Sequence, residues 1–469
     1  MPDQALKNRP IIRARAQLIQ NGGTDSNQSA RRFALDALEG ALTAVDPYGC
    51  LLAKVRVRNG QIRSGECSVP LANVNRILIL AVGKAAVPMM TAMTLLLRNF
   101  RVNGILVAPK DQYIPPFGDS IEVFRSGHPV PDLDGLAASQ ETERTVGMMG
   151  KDDLLICLVS GGASAMLPAP AKGITLQDKK RVTDELVKSR ATIHEINTVR
   201  RHISSLKGGQ LVRLSRASKI LSLIISDVPG NILPDIASGL TVEDPTTFKD
   251  AMEVLQEHDL WSRVPRSVVS HLMIGARGGI PETPKPGDPI FKRVSNIIIA
   301  DNRAACIAAK RLLATNKIPT KILTSSAETE ARSMGKLLAA IATASKLHND
   351  PINKTGAIII GGETTVEVKG SGLGGRSQET VLSAVEGIAG LNGTVIAALG
   401  TDGIDGNSVA AGALIDGRTA QRAKRKRVDP KSFLTRNDSF RFFRRLNDNL
   451  ITGRTGTNVG DLYLLLCNP

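Results

Sequence analysis

The sequence predicts an α/β protein of two Rossmann-like domains, each a mainly parallel sheet in an α/β/α sandwich. Three observations predict it. Six short apolar runs end in polar or glycine-rich tips: 77–82 at Gly83-Lys84, 154–159 at Ser160-Gly161-Gly162, 220–225 at Ser226-Asp227, 358–360 at Gly361-Gly362-Glu363, 395–399 at Gly400-Thr401-Asp402 and, more weakly, 295–299 at Ala300-Asp301-Asn302. Runs of this length without alternation read as parallel strands buried on both faces. Helical stretches separate them, the grammar of doubly wound layers rather than a barrel. The 469 residues, 42 % of them apolar, can also bury more than one core. In such folds ligands sit outside the carboxyl ends of the strands, so the tips are expected to point to one cleft.

Residues 1–29 read as a flexible basic leader. They carry Lys7, Arg9, Arg13, Arg15 and Asn21-Gly22-Gly23, with no acidic residue from Gln4 to Gly23. That pattern admits a mitochondrial transit peptide beside the plainer cytoplasmic reading. A helix is expected over 30–45, with Phe33, Leu35, Leu38 and Leu42 on one side. The N-terminal domain is assigned 30–290, closing in the Gly- and Pro-rich stretch 276–291. The C-terminal domain, 291–469, repeats the grammar with strands near 295–300, 321–324, 357–361, 395–400 and 461–466.

Composition bounds the function. The net charge of +16 favours anionic partners, and 3 % aromatics leave few stacking platforms, which argues against nucleic acid. The run Arg422-Ala-Lys424-Arg425-Lys426-Arg427 reads as a solvated helix end or a phosphate patch. No apolar stretch approaches the ~18 residues of a membrane helix. Five scattered cysteines without CxxC spacing suit a reducing compartment and exclude a structural zinc, and the six histidines form neither HxH nor HExxH.

The chemistry lies at the tips. Lys84 places an ammonium beside a helix start, where phosphate or carboxylate is attracted. Ser160, Gly161, Gly162 and Ser164 read as an anion cradle, since glycines let backbone amides approach a ligand closely. Asp227 at its strand tip can bind Mg²⁺ or take a substrate proton. Asp402 and Asp405, three residues apart and each before a glycine, suit a divalent metal or a base. Gly370–Gly375 matches GxGxxG, yet the expected acid about 20 residues later is missing, and Arg376 follows directly. There is no Walker P-loop.

Taken in order, Ala-Val-Gly83-Lys84, Ser160-Gly-Gly, His194-Glu-Ile-Asn197-Thr-Val-Arg200-Arg201-His202, Lys207-Gly-Gly, Ser226-Asp227-Val-Pro229-Gly230, Asp244-Pro-Thr-Thr, Gly361-Gly-Glu363-Thr-Thr, Gly374-Gly-Arg376, Gly400-Thr-Asp402-Gly and Thr455-Gly-Thr-Asn458 resemble the class II glycerate kinases, whose C-terminal part is the MOFRL domain. The resemblance covers about residues 30 to 469. It implies ATP-dependent phosphorylation of D-glycerate with Mg²⁺ or another divalent cation, with the active site in the cleft between the two domains and Lys84 and Arg376 as catalytic cations. Asp227 joins them as a catalytic candidate; Lys207, Glu363 and Asn458 join the cradle as substrate or phosphate ligands; Asp402 and Asp405 stand as metal ligands. Ser377 replaces the usual asparagine of the family's GGRNQE motif, and Leu240 the usual proline of its SGPT motif. The family's prokaryotic members imply the 2-hydroxyl as acceptor, and a homodimer is compatible with the family. Two alternatives stand beside this reading: an NAD(P)H-dependent hydroxypyruvate reductase, and a basic anion- or nucleic-acid-binding protein.

Overall fold

A computed structural model describes residues 11–469. They form two compact units: one of Pro47–Ser226 with Asn231–Ala300, the other of the described residues up to Asp46 with Asp227–Gly230 and Asp301–Pro469. The α/β class holds in each.

The first unit is built on a six-stranded sheet. In spatial order its strands are Ile121–Ser126, Val102–Pro109, Arg76–Val82, Asp153–Val159, Lys219–Ile225 and Val294–Ala300, and every neighbouring pair is parallel. Asp153–Val159 is buried along its whole length, as the unbroken apolar run predicts. The chain adds strands outward on one side of Arg76–Val82, then returns to add Asp153–Val159 on the other. The order therefore reverses between these two strands, and a crevice opens at their carboxyl ends. A small antiparallel meander, Val55–Arg58, Gln61–Ser64 and Cys67–Pro70, stands apart from this sheet.

In the second unit the sheet is mixed rather than mainly parallel. Thr320–Ala327 pairs parallel with Gly356–Gly362, but Asp461–Cys467 lies antiparallel between Gly356–Gly362 and Thr394–Gly400. Gly412–Asp416 and Asn449–Leu450 extend it antiparallel. Beyond Asp461 the run is apolar to its end and buried along its whole length, because the strand is central and covered on both faces, which hides its direction. Gly362 and Gly400 both pair with Asp461, so two strand tips meet the first residue of the strand between them.

Two sequence boundaries fall elsewhere in the structure. Val294–Ala300, read as opening the C-terminal domain, is the sixth strand of the first sheet, paired with Lys219–Ile225. Its tip residue Asp301 caps the next helix, Asn302–Thr315, by accepting from the Ala304 N–H at 2.8 Å. Residues 11–29, read as flexible leader, are folded; residues 1–10 lie outside the described part. Ile12 and Leu18 are fully buried, and Arg15 pairs with Asp36 and Glu39. The helix Asp25–Ala44 is capped by Thr24 and packs on Asn302–Thr315. Its buried Arg31 is ion-paired with Asp416 and Asp448 at 2.5 and 2.8 Å. Apolar burial at ~2 kcal/mol per side chain outweighs partly exposed pairs worth ~1 kcal/mol or less, so Ile12 and Leu18 anchor this segment. Among the described residues no helix is long and apolar enough to cross a membrane.

Candidate active site

At the reversal point of the first sheet, two tips are laced together. Gly83 has φ 119°, and a Cβ there would lie 2.4 Å from Ser160 Oγ and 2.5 Å from its carbonyl oxygen, so only glycine fits. The Lys84 N–H donates to Gly161 O at 2.9 Å and the Ala85 N–H to Ser160 Oγ at 3.0 Å. Lys84 is thereby fixed, half-buried, just before the helix Ala86–Leu96. The fully buried Ser160 hydroxyl serves this contact, so of the expected cradle it is the frame rather than a ligand-facing group. The amides of Gly161 and Gly162 are different: neither donates to any group among the described residues. Unpartnered adjacent N–H groups at a strand tip are what an anion cradle requires. His128, missed in the sequence, lies beside them, its Cδ2 2.9 Å from where a Gly162 Cβ would be.

Lys207 is not a ligand-facing cation. It is fully buried and its Nζ donates to Leu167 O at 2.6 Å, tying down the loop that follows the cradle. Burial, with a contribution from Arg200, pushes its ammonium down to about 7. Buried Lys179 makes the same kind of tie to Pro168 O at 2.5 Å, and burial lowers it too.

In the second unit Arg376 is the first residue of the helix Arg376–Ala384, half-buried. Its guanidinium meets Asp461 in a two-pronged contact, Nε to Oδ2 at 2.5 Å and Nη2 to Oδ1 at 3.0 Å, and also pairs with Glu363. Burial opposes the charge, but Asp461 and Glu363 outweigh it and hold Arg376 firmly protonated. Tyr463 Oη donates to Asp461 Oδ2 at 2.9 Å from beneath. Asp461 and Tyr463 were missed: the strand-tip rule looks at carboxyl ends, and Asp461 stands at the amino end of an antiparallel strand. Glu363 is therefore placed as the partner of Arg376.

The expected acids separate in role. Asp405 is buried and caps the Arg376 helix, accepting from the Ser377 and Gln378 N–H groups at 3.0 and 2.8 Å and from Gln378 Nε2 at 2.9 Å. Both its oxygens are occupied, which removes it from the metal set. Burial, aided by the charge of Asp461 and resisted by those bonds, pushes its carboxyl up to about 7. Asp402 remains half-buried at the tip after Thr394–Gly400, and its carbonyl accepts from the Thr455 N–H at 3.3 Å. The loop carrying Asn458 is bound to the same tip, the Val459 N–H donating to Thr401 Oγ1 at 2.8 Å. Asn458 Nδ2 donates to Asp227 Oδ2 at 2.6 Å. No cluster of three metal-ligating side chains exists among the described residues. A Mg²⁺ carried by nucleotide phosphates needs only one or two protein carboxylates, and half-buried Asp402 and Asp227 fit that requirement.

The GxGxxG stretch is a packing device. No strand leads into it, the Lys369 and Gly370 amides donate to Asn437 Oδ1 at 2.8 and 2.9 Å, and those of Leu373 and Gly374 go to Asp438 and Asn407. A Cβ at Gly370 would sit 2.3 Å from Arg436 O. Its glycines serve close approach to the 436–438 turn, and those amides are spent before any pyrophosphate arrives.

Residues 33–273 match a domain of unknown function (DUF4147), and residues 356–461 match the MOFRL family. The chain is 36 % identical to "Glycerate 2-kinase" of Pyrococcus horikoshii over 93 % of its own length and 97 % of the relative's. It is 35 % identical to a "Putative hydroxypyruvate reductase" of Agrobacterium vitis, covering 94 % and 96 %. The crystal structure of a glycerate kinase from Thermotoga maritima matches with a TM-score of 0.80 at 34 % identity, covering 94 % of this chain and all of that one.

Proposed function

The chain belongs to the glycerate kinase family, and on that premise we propose that it transfers the γ-phosphoryl group of ATP to the 2-hydroxyl of D-glycerate. The observation that carries this reading is the pair of unpartnered amides at Gly161 and Gly162 beside Lys84, an anion site at the reversal point of a parallel sheet. The position phosphorylated follows the name of the Pyrococcus relative.

Phosphoryl transfer rests on positioning and charge. The substrate hydroxyl oxygen bonds to the γ-phosphorus as the bond to the β–γ bridging oxygen breaks, and ADP leaves. Asp227, oriented by Asn458, takes the hydroxyl proton. Lys84 and Arg376 each supply a cation to phosphate oxygens, Arg376 held in one orientation by Asp461. Asp402 would hold a Mg²⁺ carried by the nucleotide, which would supply neutralisation of phosphate charge. The cytoplasm is the proposed location, with all five cysteines free thiols.

A reductase remains the rival because of the Agrobacterium relative's name. The occupied amides around Gly370–Gly375 speak against a dinucleotide there. The deciding assay gives the purified protein either D-glycerate with MgATP or hydroxypyruvate with NADH. Release of ADP without NADH oxidation supports the kinase; NADH oxidation with no ADP release refutes it.

A further inference from the structure

A buried chain of polar groups lies behind Ser164 in the first unit, and its polarity can be worked out from its far end. Asp235, 5 % exposed, accepts from buried Arg201, Nη1 to Oδ1 at 3.2 Å. Asn197 approaches the same residue, its side chain 3.3 Å from Asp235 Oδ1 and 3.4 Å from Asp235 O. Both are acceptors, so the amide must turn its NH₂ toward them. Its Oδ1 then faces Ser238 Oγ at 2.9 Å, and the serine must donate. A hydroxyl has one proton. Ser238 Oγ therefore meets Ser164 Oγ, 2.7 Å away, as an acceptor. Ser164 spends its proton inward and turns lone pairs outward.

The backbone shows that this arrangement is enforced. Ala237 and Ser238 both have left-handed φ, 53° and 57°, a conformation that costs ~1 kcal/mol or more per non-glycine residue and persists where surroundings over-determine it. The surroundings here are the Lys207-Gly-Gly turn: Gly208 N–H donates to Ser238 O at 3.0 Å and Gly209 N–H to Gly239 O at 2.8 Å. Ser238 is fully buried and Asn197 nearly so, whereas Ser164 is half-exposed.

We propose that Ser164 is a specificity residue that accepts a hydrogen bond from a hydroxyl of the substrate, with Ser238 and Asn197 as positioning residues that set this polarity. The proposal rests on the glycerate reading of this site. It revises the expectation that the Ser164 hydroxyl helps hold the anion: a carboxylate or phosphate oxygen has no proton to give and is left to the Gly161 and Gly162 amides.

The test is calorimetric binding of two acids, D-glycerate and the hydroxyl-free propionate, to the full chain and two variants. Ser164→Ala is expected to weaken D-glycerate by about tenfold, the worth of one hydrogen bond at ~1.4 kcal/mol, and to leave propionate within about twofold. Ser238→Gly relieves the left-handed backbone at φ 57°, which offsets the acceptor left unpaired on Asn197 and is checked by Tm, while the released Ser164 proton lets propionate gain on D-glycerate by several-fold. Equal loss of both acids in Ser164→Ala, or an unchanged ratio in Ser238→Gly, overturns the proposal. If the wild type binds neither acid and releases no ADP with D-glycerate and MgATP, the glycerate reading itself falls, a result distinct from equal loss in the variant.

Discussion

Half-buried Arg376 and fully buried Lys207 are two cations with opposite fates. Arg376 faces carboxylates and keeps its charge; Lys207 faces only a carbonyl and loses much of its hold on a proton. Arg376→Ala or Lys84→Ala is expected to lower kcat about 10²- to 10³-fold while moving KM far less, as for other groups aimed at charge in a transition state; steady-state kinetics checks this. For Lys207 the sign follows from linkage. Its folded value of about 7 lies below the ordinary lysine value of 10.5, so between these the unfolded chain binds more protons and the lysine's contribution to stability rises with pH. Lys207→Met abolishes that contribution. The Tm of the variant relative to wild type is therefore expected to be most favourable near pH 7 and to decline toward pH 10.5; a flat difference would refute it. Lys84 and Arg376 were legible because each follows glycine at a strand tip or helix start. Asp461, Tyr463 and the Ser164–Ser238–Asn197 chain were not, because they meet only through long-range packing that spacing does not encode.

At the scale of elements, the helix Arg376–Ala384 carries the proposed catalytic cation on its first residue and is capped by a residue 29 positions later. Asp405→Ala is expected to cost ~1 kcal/mol of stability through loss of the cap. It should also cut kcat more than KM, because the guanidinium's anchor frays; denaturant unfolding and kinetics read the two effects separately. The N-terminal segment makes a second case. Removing residues 1–23 deletes buried Ile12 and Leu18, and at ~2 kcal/mol each the loss should appear as a clear drop in Tm. An unchanged Tm would mean that the segment is the dispensable leader its composition suggests. Strand positions were readable in advance from apolar runs; strand partners were not. Val294–Ala300 and Asp461–Cys467 look alike as sequences, yet one is a parallel edge and the other an antiparallel centre. A strand buried on both faces carries no mark of its direction, and the basic leader carries no mark of the carboxylates that Arg15 finds.

At the scale of the whole molecule, the surplus of 60 basic over 44 acidic residues suits anionic substrates, and the two units place different chemistry at their strand ends. The first offers backbone amides, Lys84 and the oriented Ser164; the second offers Arg376 clamped by Asp461, with Asp402 and Asp227. These groups are scattered along the chain, which is why the ordered set of motifs was more informative than any one of them. The most direct test of the account is to incubate the purified full chain with D-glycerate and MgATP in the presence of enolase and without a mutase. The account predicts ADP together with immediate phosphoenolpyruvate, the signature of 2-phosphoglycerate; ADP without phosphoenolpyruvate would contradict the 2-hydroxyl, and no ADP at all would contradict the kinase.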